Sequence, residues 1–544
     1  MVFSSPFGSI DIATTPLHVD LLNRIDEAIR RDPTKKAFID GANPSRFLTY
    51  PQLKDQALAI SQFLENRGFV KQTACIVLPN CYEFFTFFLG VSIQGGAVSG
   101  ASALFTDFEL ERQFKDSRCT TILTDKNNLE KVKKAAHGIS AIKVLSIIVL
   151  GVPPLTPGTI SWNEVISTPI NPNRKPVPIN VKEDVVVLPY SSGTTGSPKG
   201  VMLTHQNVGT SMRILLKCRR INEIKTTGSA VDWNKENMLL FLPFYHLYGF
   251  CMTAYCVLEK STAVILSKFE PATFLQCLQD YKISQMMCAP PILVFLAKQP
   301  MCDKYNLTSL TRILSGAAPA GKDVCDALTK RYPHLKYIEQ RYGMTENSAA
   351  ITWPDDQSSR KFGSCGKLAA GLQMKIIDLS SGAELPVGQA GEICIRGPTI
   401  MKGYLGREEA TRETIRNEWL HSGDIGYADA DGDLFIIDRL KELIKVKGFQ
   451  VPPAELEDLL LSHPRIQDAA VIGVPHENDG EQPKAYVVRK DLNLTAEEVF
   501  KFVADKVVPY KQLKGGIVFI DAIPKSAAGK ILRRKLRDMQ KSKL

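Results

Sequence analysis

The sequence lacks the cysteine patterns that mark zinc sites and disulfide frameworks. Its 12 cysteines are scattered over 544 residues, and they form neither a Cys-x-x-Cys pair nor a cysteine–histidine cluster at metal-ligand spacing. A zinc site and a small disulfide-stabilised fold are therefore not indicated. We expect reduced, mostly buried thiols instead.

Two other motifs are missing. Residues 1–16 contain neither a basic stretch nor a continuous apolar core, so a secretory signal peptide is not expected there. No stretch matches Gly-x-x-x-x-Gly-Lys-Ser/Thr, which makes a P-loop kinase an improbable class.

Long uncharged runs are also scarce. Residues 238–258 run for 21 positions without Asp, Glu, Lys or Arg, but they include Pro243, His246 and Gly249. A membrane-spanning helix tolerates these residues poorly, so we predict a buried strand, a turn and a helix in this stretch.

Composition and charge are those of a moderately basic globular protein. The chain is 44% hydrophobic and 23% charged, and its length predicts two to four domains or subdomains. The formal net charge is +10, with a basic concentration in residues 529–544. No aromatic residues lie between these charges, so anionic small ligands are favoured over nucleic acid.

The most informative segment present is residues 190–200, Tyr-Ser-Ser-Gly-Thr-Thr-Gly-Ser-Pro-Lys-Gly. It follows an apolar run at 185–188 that predicts a buried strand. Glycines let backbone N–H groups approach a ligand closely, hydroxyls donate hydrogen bonds, and Lys199 supplies a mobile cation. The segment therefore favours a polyphosphate-binding loop over a flexible surface loop.

The order of apolar runs predicts an α/β protein. Strands alternate with helical patterns through the first half of the chain, then a small antiparallel β unit follows, and a last block of roughly 100 residues has an α+β pattern. The predicted strands are 73–79, 120–124, 144–150, 185–188, 263–266, 285–288, 373–378, 391–396, 433–438, 466–474 and 484–489, and the predicted helices include 53–67, 81–94 and 453–462.

Further segments with site-like composition follow the loop. They combine glycines, hydroxyls, carboxylates and histidines, and the last of them ends on a lysine that follows a glycine. These segments are 244–249, 315–319, 340–346, 419–426, 438–450 and 524–530.

With these motifs in this order over nearly its whole length, the sequence resembles the adenylate-forming superfamily. It is most similar to the acyl-CoA synthetase branch that holds 4-coumarate–CoA ligases and firefly luciferase. The resemblance implies an α/β fold with a large N-terminal domain, residues 1–438, of two layered α/β subdomains plus a small distorted β-barrel. A small, mobile α+β C-terminal domain, residues 439–544, is expected to follow.

The resemblance implies an ATP and AMP site built from the loop and the later motifs. The loop is expected to hold the β- and γ-phosphates, Tyr342 to lie against adenine, and Asp424, supported by Arg439, to bind the ribose hydroxyls. The residues assigned to this site are Ser191, Ser192, Gly193, Thr194, Thr195, Gly196, Lys199, Ala317, Ala318, Gln340, Arg341, Tyr342, Thr345, Asp424, Arg439, Lys441, Lys445 and Lys530.

The resemblance also assigns the catalytic residues. Lys530 is expected to bridge the attacking carboxylate and the α-phosphate, and Thr345 to bond the α-phosphate. His246 is expected beside the forming acyl-phosphate, and Glu346 is the expected Mg²⁺ ligand.

A second half-reaction is implied for the small domain. In this family it rotates after adenylation about a hinge near residues 438–441, so that Lys530 leaves the site and the face carrying Lys445 turns in. The residues expected at the coenzyme A tunnel are Lys268, Lys447 and Gly448.

The expected acyl pocket contains one departure from the family pattern. Many members have Gln-Gly-Tyr-Gly where this chain has Gln340-Arg341-Tyr342-Gly343. We expect the arginine to cap the pocket or to pair with a second carboxylate on the acid; the alternative is that it swings out to solvent. The residues assigned to this pocket are His246, Leu247, Tyr248, Met252, Arg341 and Ala349.

The predicted function is that of an ATP-dependent carboxylic acid–CoA ligase that uses ATP, Mg²⁺ and coenzyme A. Fatty or fatty-acid-like acids are the leading substrate class, and arylpropenoic acids such as 4-coumarate come second. A luciferase-type monooxygenase using an adenylated luciferin is the alternative, because the same motifs serve both. A carrier-protein-loading module is disfavoured because no carrier domain is attached, and a binding protein because Lys530 and Asp424 are both present.

The sequence ends on Ser542-Lys543-Leu544, a tripeptide that import receptors recognise as a peroxisomal address. We therefore expect a protein of the peroxisomal matrix. Its expected partners are the import receptor and a small carboxylic acid, without nucleic acid and without a transmembrane segment.

Overall fold

A computed structural model describes most of the chain. The described residues are 1–138, 146–151, 157–191, 198–228, 231–316, 321–355, 361–440, 442–446, 449–477, 479–526 and 529–541.

Helices and strands alternate through the first half of the chain, as predicted. The helices are α1 (Leu17–Arg31), α2 (Tyr50–Asn66), α3 (Tyr82–Ile93), α4 (Asp107–Ser117), α5 (Leu129–His137), α6 (Trp162–Ile166), α7 (His205–Thr227), α8 (Leu247–Leu258), α9 (Pro271–Asp280), α10 (Pro290–Lys298), α11 (Lys322–Arg331), α12 (Glu408–Thr414), α13 (Pro453–Leu461), α14 (Ala496–Ala504) and α15 (Arg533–Lys541).

The strands up to residue 350 are β1 (Val2–Ser4), β2 (Lys36–Asp40), β3 (Phe47–Thr49), β4 (Thr73–Val77), β5 (Ala97–Ala101), β6 (Thr121–Asp125), β7 (Ser146–Leu150), β8 (Ile160–Ser161), β9 (Val185–Val187), β10 (Tyr190–Ser191), β11 (Lys199–Thr204), β12 (Asn237–Leu240), β13 (Thr262–Ile265), β14 (Gln285–Cys288), β15 (Arg312–Ser315), β16 (Tyr337–Gln340), β17 (Gly343–Met344) and β18 (Ala349–Ala350).

The later strands are β19 (Thr352–Trp353), β20 (Ser364–Leu368), β21 (Gln373–Ile377), β22 (Gly391–Arg396), β23 (Gly403–Tyr404), β24 (Ile415–Arg416), β25 (Trp419–Ala428), β26 (Asp433–Arg439), β27 (Ile444–Val446), β28 (Phe449–Val451), β29 (Ile466–His476), β30 (Gly480–Arg489) and β31 (Ile517–Phe519).

Parallel sheets dominate the first half of the molecule. One sheet has the order β10-β11-β9-β5-β4-β6-β7-β8, in which β9 and the strands after it in this order run parallel. A second, mixed sheet has the order β12-β13-β2-β3, and a third, parallel sheet has the order β14-β15-β16. Helices connect most of the parallel strands, which confirms the layered α/β prediction.

An antiparallel sheet follows, with the order β1-β21-β22-β25-β26-β20-β19. It forms the half-barrel that corresponds to the predicted small distorted β-barrel. Strand β26 ends at Arg439, and the sheet β28-β27-β30-β29 begins beyond it with its own apolar core around Val451, Leu456 and Val487. The predicted boundary at residue 438 lies next to this change of sheet.

The uncharged stretch at 238–258 forms β12, a turn and α8, as predicted. His246 is the N-cap of α8 and accepts a hydrogen bond from the N–H of Tyr248. A side chain thus satisfies one of the backbone N–H groups at the start of the helix. A search of the described residues for an apolar helix of bilayer-spanning length finds none.

Candidate active site

The first part of the site is a buried carboxylate. Asp424 of β25 is 3% exposed and accepts a hydrogen bond of 2.6 Å from the hydroxyl of Tyr342. Its other oxygen lies 3.1 Å from Nε of Arg439, the residue paired with it on β26. Burial, and then the charge of Asp424, raise the pKa of Tyr342, so its phenol stays protonated as a donor. The three residues predicted at adenine and ribose therefore lie together.

The second part is a carboxylate oriented by a residue that sequence reasoning missed. Glu346 lies in the turn after β17, and its Oε1 accepts a hydrogen bond of 3.0 Å from the hydroxyl of Tyr404. The ammonium of Lys199 lies 4.9 Å from the centroid of the same Tyr404 ring. Tyr404 stands in no recognisable motif, so only the fold reveals that it joins Glu346 to the phosphate loop.

The phosphate loop connects two antiparallel strands, β10 and β11. Ser191 and Lys199 are paired at its base. Several predicted site residues lie outside the described part of the chain: Ser192, Gly193, Thr194, Thr195, Gly196, Ala317, Ala318, Lys441, Lys447 and Gly448.

Lys530 reaches this site from the C-terminal domain. It follows Gly529, whose φ of +80° and nearness to Pro291 leave little room for a side chain. Burial, and then the charge of Arg439, lower the pKa of Lys530 to about 8, although the charge of Asp424 opposes this shift. The charges of Arg439 and Asp424 act on Lys530, and the charge of Lys530 acts on His246, so Lys530 belongs to the same electrostatic cluster as these residues.

His246 faces Lys530 in its neutral form. Burial, and then the charge of Lys530, lower the pKa of His246. Its Nδ1 accepts from the N–H of Tyr248 at 3.3 Å, so in the neutral ring Nε2 carries the proton. The histidine can therefore donate a hydrogen bond to an oxygen close to Lys530.

Arg341 lies inside the protein, and the solvent-facing alternative is wrong. Its side chain is 12% exposed, and its guanidinium carbon lies 3.3 Å from the centroid of the Trp353 ring. One Nη is 3.6 Å from Glu339, and Nε has no hydrogen-bond acceptor among the described residues. Burial lowers the pKa of Arg341 to about 10, so it is a cation at neutral pH.

One predicted acyl residue, Tyr248, interacts with this guanidinium. The charge of Arg341 acts on the phenol of Tyr248, and the ring of Tyr248 lies close to Gly316. Met252 lines a small apolar cavity with Phe244 and Met287. The residues predicted for the acyl pocket thus include both an apolar cavity wall, at Met252, and a cation, Arg341.

A tight turn fixes the neighbouring backbone. A side chain at Gly343 would lie 2.0 Å from the carbonyl oxygen of Ala349, so only glycine fits there. Ala349 itself has a φ of +108°, which non-glycine residues rarely adopt. Ser348, the residue before it, donates to Thr399 and accepts from Ser211, and these bonds hold the strained turn in place.

The remaining predicted site residues differ in their exposure. Lys445 on β27 and Lys268 after β13 are both exposed. Gln340 is buried at the end of β16, and Thr345 is half-buried at the start of the turn that holds Glu346. Lys530 is thus partly buried and interacts with Asp424 and Arg439, whereas Lys445 is exposed.

Comparison with family models decides the class. The model described as AMP-binding enzyme matches residues 25–405, and the model described as AMP-binding enzyme C-terminal domain matches residues 455–530. The chain belongs to the AMP-binding enzyme family.

Among curated relatives, 4-coumarate–CoA ligase 1 from Petroselinum crispum is 40% identical over 546 residues, covering 99% of this chain and 96% of the relative. A tobacco (Nicotiana tabacum) 4-coumarate–CoA ligase 2 is also 40% identical and covers 99% and 97%.

Solved structures agree with this assignment. ATP-bound MatB from Rhodopseudomonas palustris is 25% identical, covers 97% of this chain and 99% of its own, and has a TM-score of 0.84. The apo form of the same protein has a lower TM-score of 0.72. These likenesses confirm the predicted fold class and support ATP-dependent, AMP-forming acid–CoA ligation through an acyl-adenylate.

Proposed function

We propose that this enzyme activates a carboxylic acid with an apolar middle and a polar or anionic far end, and transfers its acyl group to coenzyme A. The observation that carries the proposal is the buried guanidinium of Arg341 beside Tyr248, next to a site that already contains the adenylation residues.

In the first step, a carboxylate oxygen attacks the α-phosphorus of ATP and pyrophosphate leaves. Both reactants are anions, so positive charge and oriented donors provide the stabilisation. Lys530 supplies an ammonium beside Asp424 and His246, and Lys199 stands at the base of the phosphate loop. Glu346 fits Mg²⁺ because its buried carboxylate is a hard oxygen ligand. Tyr404, which donates to this carboxylate, also contacts Lys199 at the base of the phosphate loop, so the metal would lie near the phosphates.

In the second step, the thiol of coenzyme A attacks the acyl carbon and AMP leaves with the C–O bond electrons. The C-terminal domain moves before this step, so that Lys530 leaves the site and the thiol can enter. We propose rotation about residues 438–441, which brings Lys445 toward the site and places coenzyme A near Lys268, Lys447 and Gly448.

The substrate class follows from the pocket. Leu247 and Met252 are buried apolar residues that suit an aliphatic or aromatic middle. At the far end, a carboxylate, carbonyl or hydroxyl oxygen would give the Arg341 Nε the acceptor that it lacks among the described residues. Dicarboxylic and hydroxyaryl acids are therefore better matches than simple fatty acids.

Substitution of Arg341 by glycine tests this substrate class. We expect the variant to lose about 10- to 100-fold in kcat/KM for the preferred polar acid, because a charged hydrogen bond is removed. Apolar acids of similar length should improve, since the buried charge is gone. Glu339 keeps its ion pair with Arg312, which limits structural damage. Pyrophosphate release is measured over fatty, arylpropenoic and dicarboxylic acids.

Two comparisons complete that experiment. Arg341→Lys retains the charge without the planar donor fork and should give an intermediate preference. Lys336→Ala removes an exposed cation just before β16, the strand that leads to Arg341, and should leave the substrate preference unchanged. Equal responses of all acids to Arg341→Gly would rule out a selective role for the guanidinium.

We also propose that the protein is imported into peroxisomes, supported by the terminal Ser542-Lys543-Leu544 alone. A fluorescent fusion that retains this tripeptide should co-localise with a peroxisomal marker, and a fusion without it should stay cytosolic. Identical distributions of the two fusions would contradict import through this signal.

A further inference from the structure

Asp424 stands in an irregular part of its strand. In the pairing of β22 with β25, Glu392 faces Ile425 and Cys394 faces His421. One residue of β22 therefore lies opposite the three residues 422–424 of β25, which form a bulge. Gly423 at its centre has a φ of +67°. Such bulges redirect side chains, and this one leaves backbone groups without ladder partners.

A buried glutamate satisfies the backbone of this bulge. Glu392 Oε1 accepts a hydrogen bond of 3.1 Å from the N–H of Gly423, and Oε2 lies 3.0 Å from Nδ1 of His421. The two side chains are only 13% and 12% exposed. Although burial opposes it, hydrogen bonding from His421 and Gly423 keeps the pKa of Glu392 below its usual value, so the carboxylate is charged.

The same glycine contacts the start of the domain connection. The carbonyl oxygen of Gly423 accepts a hydrogen bond of 2.8 Å from the N–H of Leu440, the residue after Arg439. One residue, Gly423, thus lies between Glu392 and the segment that leads into the C-terminal domain. Displacement of Gly423 would move both Asp424 and its partner Arg439.

The cluster also has the donor atoms of a metal site, since ligand atoms of Glu392, Cys394 and His421 lie within 4.8 Å of one another. However, both carboxylate oxygens already face N–H donors, and the Cys394 sulfur lies 3.5 Å from the same Nδ1 of His421. Hydrogen bonds therefore account for the arrangement without a cation.

We infer that Glu392 is a positioning residue for nucleotide binding: together with His421 it holds the Gly423 bulge so that Asp424 faces the ribose. The inference rests on the proposed role of Asp424 at the ribose hydroxyls. Its specific consequence is that loss of Glu392 weakens the binding of ATP through the ribose contact. Nucleotides that lack a ribose hydroxyl should therefore be affected less than ATP.

The test compares ATP with 2′-deoxy-ATP and 3′-deoxy-ATP in the full-length enzyme, measured by pyrophosphate release. We expect Glu392→Ala to raise the KM for ATP about tenfold with little change in kcat, because a buried hydrogen bond to the bulge is lost. The KM for each deoxy-nucleotide, which lacks one of the two ribose hydroxyls, should rise by a smaller factor. The double variant Glu392→Ala/Asp424→Ala should lose no more selectivity for ATP over the deoxy-nucleotides than Asp424→Ala alone.

Several variants keep the test decisive. Glu392→Gln retains an oxygen for Gly423 and should keep most of the selectivity, while Glu392→Asp, one methylene shorter, should lose it without a large cavity. Cys394→Ala is the matched control, because it removes the neighbour of His421 and leaves both Glu392 contacts. Melting temperatures of all variants identify any that fail to fold.

The outcomes separate the two ideas. If Asp424→Ala itself shows no loss of selectivity for ATP over the deoxy-nucleotides, the proposed ribose role fails. If Asp424→Ala shows that loss but Glu392→Ala and Glu392→Asp weaken all three nucleotides equally, Glu392 is merely structural and the positioning inference is overturned.

Discussion

Replacement of Lys530 by alanine is expected to abolish adenylate formation while it spares thioester formation from a supplied acyl-adenylate. The ammonium is a charged group of the C-terminal domain that interacts with both Asp424 and His246, the residues assigned to the reaction site. Loss of such preorganised charge typically lowers a rate about 100- to 1,000-fold. Pyrophosphate release measures the first step, and acyl-CoA formation from acyl-AMP measures the second.

The pH profile gives this prediction an independent signature. Lys530 must be protonated to act, and its pKa is lowered to about 8, so kcat/KM for adenylation should fall as the pH rises through that value. The rate of the thioester step should not show this fall at alkaline pH. Lys525→Ala is the matched control, because Lys525 lies in the same loop but pairs with Asp468 at 2.6 Å. Equal loss of both half-reactions in Lys530→Ala would contradict the assignment.

Local sequence patterns predicted most helices and strands of the fold. The predictions failed where an element depends on contacts with residues distant in the chain or on capping residues outside the apolar pattern. The strands at 285–288 and 391–396 match the structure residue for residue. The helix predicted from residue 53 begins at Tyr50, because Thr49 and Gln52 form a capping box and Pro51 favours the first turn. Strand β1 pairs with β21, a partner so distant along the chain that no local pattern indicates it.

The site shows the same division between local and distant information. Motifs identified Asp424, Tyr342 and Arg439, and the structure brings these three together. Sequence reasoning could not find Tyr404 or Glu392, because each acts on a residue that is distant in the chain. The positive φ of Ala349 also had no signal, since alanine rarely adopts it and only the surrounding hydrogen bonds explain it.

Substitution of Asp424 by asparagine is the second change with a large expected effect. The charge that pairs with Arg439 is lost, and an amide group replaces one of the two oxygens that receive Tyr342 and the guanidinium. The ribose would lose its charged acceptor, and the partly exposed Arg439 would lose its ion-pair partner. We expect kcat/KM for ATP to fall about 100-fold, mainly through KM.

The reason for a KM effect is that the ribose takes no part in bond making or breaking. Its contacts stabilise the ground state and the transition state alike, so their loss weakens binding without slowing the bound complex. The matched control is Asp431→Asn in the adjoining turn, where Lys361 still pairs with Asp429 and Asp433. Steady-state kinetics with varied ATP distinguish the two variants. A fall in kcat at unchanged KM would place Asp424 at the reacting phosphate instead, because only a group that contacts the reacting atoms acts selectively on the transition state.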